Sequence, residues 1–100
     1  MIVVLHEVAM AELEDAAAWY EARREGLGHA LTGEVMAAAA RIGELPEAWP
    51  RWPGSAELRV VRVKRFPYHL PYALRGDRAV VMAVAHDKRR RGYWLEDREM

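Results

Sequence analysis

LRVVRVKRFPYHLPYALRGDRAVVMAVAH, residues 58–86, holds three runs of β-branched, aromatic and aliphatic residues separated by two polar breaks. LRVVRV at 58–63, HLPYAL at 69–74 and AVVMAVAH at 79–86 each have strand length and strand composition. Arg75-Gly76-Asp77-Arg78 is a hairpin turn signal. Pro71 cannot donate to a ladder, so the middle run should lie at an edge or carry a bulge. Val80 to Ala85 is apolar without interruption, which predicts the most buried strand.

Upstream, PEAWPRWPGSAE at 46–57 has three prolines, a glycine and two tryptophans. Such a stretch reads as an ordered loop, because Trp49 and Trp52 need surfaces to pack on. Before it the period changes from two to 3.6. Leu13, Ala16, Ala17 and Tyr20 share one helical face from Ala9 onward, opposite Glu12, Glu14, Asp15 and Glu21. Gly26-Leu27-Gly28 breaks that helix. Leu31, Val35, Ala38, Ile42 and Leu45 then mark a second one, limited by Pro46. Many alanines allow the two helices to approach closely as an antiparallel hairpin. Residues 2–6, IVVLH, read as a short first strand. The order is β-α-α-β-β-β. The expected fold is α+β, a helical hairpin on one face of a mainly antiparallel sheet.

One hundred residues suit one domain, 1–100. A hydrophobic fraction of 52% excludes intrinsic disorder. Without cysteine there are neither disulfides nor thiolate metal sites. His6, His29, His69 and His86 lack metal-ligand spacing, so no metal and no cofactor are expected. The N-terminal apolar run is too short for a signal peptide, and no stretch has the length of a membrane span. A cytoplasmic protein is the expectation. The net charge is zero but polarised. Residues 1–50 hold nine acids against three bases, and residues 51–100 hold twelve bases against six acids. The surface should present one basic side able to steer an acidic partner.

Three words of this sequence, in this order, resemble the RelE/ParE superfamily of bacterial toxin–antitoxin toxins. They are AAAWYEARREGLGHALTGEV at 16–35, VKRFPYHLPY at 63–72, and AVAHDKRRRGYW at 83–94. The second is similar to an Arg-Phe-Pro-Tyr hairpin of ParE-like and "plasmid stabilisation" members. The resemblance implies a toxin held inactive by a cognate antitoxin in a hetero-oligomer. It implies one of two targets: DNA gyrase, bound without chemistry on nucleic acid, or messenger RNA cut on the ribosome. A detoxified member with a structural or regulatory role is a third reading.

Cutting RNA requires cations beside the phosphate and groups that move protons. Lys64, Arg65 and Arg89 are the candidate clamps, with Tyr93 as the candidate acid. Where RelE-like enzymes carry an arginine in the middle strand, this chain has His69, which favours the gyrase-binding reading. The candidate target-binding set is Arg65, His86, Lys88, Arg89, Arg90, Arg91, Tyr93 and Trp94. Most have a structural alternative. His86 can be a hydrogen-bonded strand terminus, Lys88 to Arg91 a solvated charge run, and Trp94 a clamp folding the tail onto the sheet. Trp19 and Tyr20 read as helix-packing residues. Strand alternation puts Arg62 and Lys64 on one face, Arg59 and Arg65 on the other.

Overall fold

Strand β1 (Ile2–Leu5) leads into helices α1 (Glu7–Arg23) and α2 (Leu27–Glu44), then strands β2 (Leu58–Arg62), β3 (Tyr68–Arg75), β4 (Arg78–Val81) and β5 (Ala85–His86), and a 3₁₀ turn at Tyr93–Leu95. This is a computed structural model, and it describes residues 1–98. The sheet order is β1-β4-β3-β2, with β5 also on β3. Only β1 and β4 run parallel; every other pair is antiparallel. The expected α+β architecture is therefore the observed one.

Helix α1 starts two residues earlier than the apolar period indicated. His6 leaves the strand and caps the helix, its Nδ1 accepting from the Val8 amide at 3.1 Å. The αα turn is fastened by Glu21, whose carboxylate accepts from the amides of Gly26 (2.7 Å) and Gly28 (2.9 Å). Those backbone bonds, Gly26's first, hold the Glu21 carboxyl below its ordinary value. Gly26 has φ +86°, the left-handed region that glycine occupies without strain. Gly28 has a different reason: a Cβ there would lie 2.3 Å from the Ala17 carbonyl oxygen. Gly28→Ala should force the helices apart and cost about 2 kcal/mol, more than the gain of about 1 kcal/mol in helix propensity. A thermal melt of the variant checks this.

The last long strand is the main correction. Residues 79–86 form not one strand but two, β4 and β5, interrupted at 82–84. Beside β4, Tyr72 pairs with Val81; beside β5, His69 pairs with Ala85. Two residues of β3, Leu70 and Pro71, thus oppose three. This is a bulge with one extra residue. Pro71 is its cause. Toward β2 it faces Val60, whose own amide points away to the Pro50 carbonyl (2.9 Å). The proline nitrogen therefore points at the bulge, where no donor is needed, and its carbonyl accepts from Met82 (2.8 Å). Pro71 sits in an interior strand, and the bulge alternative is the one realised.

Two apolar clusters cover the two faces of the sheet. On the helical side Leu13, Leu31, Val35, Ala38 and Ile42 meet Val61, Leu70, Tyr72, Val81 and Val84. On the other side Trp52, Met82, Ala83, Ala85 and Trp94 pack together. Trp52 and Trp94 meet edge to face with ring centroids 5.1 Å apart. The 46–57 loop bends round the β2 edge. It sets Trp49 on the helical side, its Nε1 donating to the Arg41 carbonyl, and Trp52 on the other. Tyr20 joins the core against Phe66 (5.2 Å) and Tyr68 (6.4 Å), as its spacing indicated. Trp19 does not. It is 53% exposed, with the Arg23 guanidinium 3.5 Å above its ring.

A basic groove along the edge strand

The first half of the β2 edge is covered. Arg51 bridges to Arg59, and Trp52 donates to the Leu58 carbonyl. The cover ends there. Val63 donates to Tyr68 across the ladder, so Arg62, one residue earlier, turns its backbone groups outward. Its carbonyl accepts from the Arg41 guanidinium at 2.9 Å. Here a groove of about 990 Å³ opens. Val60, Val61, Val63, Trp49, Pro50 and Trp52 supply its apolar lining, and Arg41, Arg62, Lys64, Arg89 and Arg91 its cations. His69 and Asp87 complete it.

Asp87 is the one acid of that lining. Its Oδ2 accepts from Arg62 at 2.5 Å and its Oδ1 lies 2.8 Å from His69 Nδ1. Opposite a carboxylate, that ring nitrogen is the protonated one. Burial by itself raises the Asp87 carboxyl, but the bonds from His69 and Arg62 outweigh it and hold the group below its ordinary value. The His69 ring stacks on Trp52, 6.0 Å between centroids, and the Arg91 guanidinium sits 4.9 Å from the same indole. Trp52 is thus a platform that fixes two groove side chains.

A second polar cluster ties the tail to α1. Glu12, read in the sequence as part of a solvated face, turns inward. Its Oε1 accepts from the Val84 amide inside the bulge (3.0 Å) and from Arg98 (2.9 Å). Its Oε2 accepts from Arg98 (2.8 Å) and from the Tyr93 hydroxyl (2.5 Å). Arg98 also donates to the Met82 carbonyl, and its side chain is 4% exposed. The bulge thus releases an amide and a carbonyl that Glu12 and Arg98 satisfy. Burial, then the bond to Glu12, push the Tyr93 hydroxyl up to about 12. A raised phenol stabilises the fold fully below its unfolded value near 10, and that contribution fades as pH rises toward 12. Tyr93→Phe should therefore flatten part of the alkaline fall in stability. Melts between about pH 9 and 12 measure it.

The structure divides the sequence-derived candidates. Lys64, Arg89 and Arg91 line the groove. Arg65 does not. It adopts φ +70° in the β2–β3 turn, and its guanidinium lies 3.8 Å from Glu34 of α2. Tyr93 is held by Glu12 rather than lining the groove. Arg89 lies between the two features, 3.6 Å over the Tyr93 ring and 3.7 Å from Glu12. The proposed nuclease set of Lys64, Arg65, Arg89 and Tyr93 is thus not gathered around one point. His86 packs edge to face on Tyr68, and its Nδ1 accepts from the Lys88 amide. Lys88 and Arg90 are exposed, without an ion pair among the described residues. Trp94 is a correction. At 1% exposure it belongs to the core and offers a partner no surface, which agrees with its reading as a clamp.

Alternation along β2 places the arginines as read: Arg62 and Lys64 line the groove, while Arg59 donates to the Trp49 carbonyl and Arg65 pairs with Glu34. Sequence reasoning left Arg41, Asp87, Glu12 and Arg98 out of the site, and noted His69 only as a departure from the RelE-like arginine. Asp87 carried a signal too, the lone acid at the head of a basic run. Among the described residues, no cluster of His, Asp or Glu could hold a metal ion, and no helix is long and apolar enough to cross a membrane.

No family model matches the chain, and no curated protein matches it. Among solved structures it is similar to one titled "Chromosomal ParDE TA system from P. aeruginosa", with TM-score 0.70 and 16% identity. The match covers 86% of this chain and 95% of that one. The two chains share a fold. At this identity the likeness concerns the backbone arrangement.

Proposed function

We propose that the chain is a ParE-like toxin of a toxin–antitoxin module. It acts by protein contact, with DNA gyrase as target, and is neutralised by a cognate antitoxin in the cytoplasm. The observation that carries this reading is the groove. It has the fold context of the ParDE chain, a lining of valines and tryptophans, and a basic rim. Apolar surface bordered by cations suits a polypeptide with apolar and acidic side chains. At Arg62 the backbone turns outward beside the groove, and with its carbonyl already held by Arg41 it is the amide that faces such a segment. A partly disordered antitoxin would order on it and cover the rim.

The nuclease alternative has less support. Its proposed acid, Tyr93, already engages its hydroxyl in a hydrogen bond to Glu12, and its four residues are dispersed. Expression of the chain alone should arrest growth, and co-expression with a cognate antitoxin should restore growth. Purified chain should inhibit gyrase supercoiling and leave message intact on translating ribosomes. Tyr93→Phe should keep the arrest. Cleaved message with untouched supercoiling, and arrest abolished by Tyr93→Phe, would establish the nuclease instead. Harmless overexpression without any antitoxin would point to a detoxified member.

A further inference from the structure

We infer that Asp87 is a specificity-determining residue of the groove, placed to exclude nucleic acid and leave the site to a protein segment. The inference refines the protein-contact reading above. A groove with five cations in its lining should attract any polyanion, RNA included, since phosphate neutralisation drives such binding. Yet the cations here are largely engaged. Arg62 is bonded to Asp87, Arg41 to the Arg62 carbonyl, and Arg89 lies near Glu12. Arg62 and His69 would be the natural forked clamp for a phosphate, a guanidinium beside an imidazole N–H. Asp87 occupies both, one oxygen each.

Asp87 thus stands where a phosphate's oxygens would bind. A bound phosphodiester would have to displace a carboxylate that two donors hold ionised, or lie against its negative charge. A peptide faces a lower barrier. It can bury apolar side chains against the partly exposed Val60 and Trp49 and meet Lys64 and Arg91 at the rim, and it need not place a negative charge on Asp87. The carboxylate therefore discriminates by repulsion, as specific sites commonly do.

The test uses the full chain and a fluorescein-labelled twelve-nucleotide single-stranded RNA, followed by anisotropy at several salt concentrations. Asp87→Asn should bind it about ten-fold tighter than the unaltered chain, with a steeper salt slope. Arg62→Ala added to Asp87→Asn should abolish that gain. In the unaltered background Arg62→Ala should change RNA binding less than two-fold, since Asp87 already engages that guanidinium. Arg62 is largely exposed, so this variant folds even if Asp87→Asn does not. Unaltered protein that binds the RNA as tightly as Asp87→Asn overturns the proposal. So does a five-fold loss on Arg62→Ala alone. These outcomes concern RNA only. Absence of gyrase inhibition would refute the target reading while leaving them unchanged.

Discussion

Replacing Trp94 with alanine should cost about 4 kcal/mol and lower the melting temperature by about 20 °C. Trp94 is 1% exposed and lies edge to face against Trp52 in the apolar cluster behind the sheet. Removing the indole opens a cavity between the tail and the strands that nothing nearby can fill. A domain of this size has about 5–15 kcal/mol in all, so a large part of the margin goes with one side chain. The loss should spread to the groove, because Trp52 also stacks on His69 and carries Arg91. Trp94→Phe should keep most of the stability and the groove. A melt of each variant with near-ultraviolet circular dichroism reads the outcome. An alanine variant with unaltered melting would show that the tail does not clamp the sheet.

Glu12→Gln should cost about 3 kcal/mol, although it changes almost no volume. It leaves the buried Arg98 guanidinium with only the exposed Asp97 carboxylate, 3.6 Å from its Nε, as counter-ion, close to the situation in which a broken ion pair is most damaging. It also replaces an acceptor of four bonds by a group that accepts at one end only. Arg98→Met should be costly for the converse reason. The double change Glu12→Leu with Arg98→Met should be less harmful than the sum of its parts by at least about 1 kcal/mol, since no lone charge remains. Denaturant melts of the double-mutant cycle give the coupling directly. Additive losses would mean that the pair is not coupled across the fold.

The same cluster explains which candidates the sequence misplaced. Helical period put Glu12 with Glu14, Asp15 and Glu21 on a wet face. The period was right about Leu13 beside it, but a position at the edge of the apolar stripe can turn either way. What turned Glu12 inward was the bulge at 82–84, seventy residues away, which left the Val84 amide without a strand partner. Pro71 announced some irregularity. It could not say that the opposite strand would break in two, or that a helix carboxylate would mend the break. The latch engages the Tyr93 hydroxyl and lies 3.7 Å from Arg89, which lines the groove.

The α+β order, the helical hairpin and the alternation of Arg59, Val61 and Val63 against Val60, Arg62 and Lys64 followed from local pattern. Period, turn chemistry and glycine placement act over a few residues, and the sequence alone carries them. Tertiary structure alone decided which cations remain available. Arg65 went to Glu34, Arg62 and His69 to Asp87, and Arg89 to the Tyr93 ring and Glu12, through contacts 4 to 77 positions apart. An ion pair depends on which strands and helices come to lie side by side, and charge counted along a chain contains no such distance.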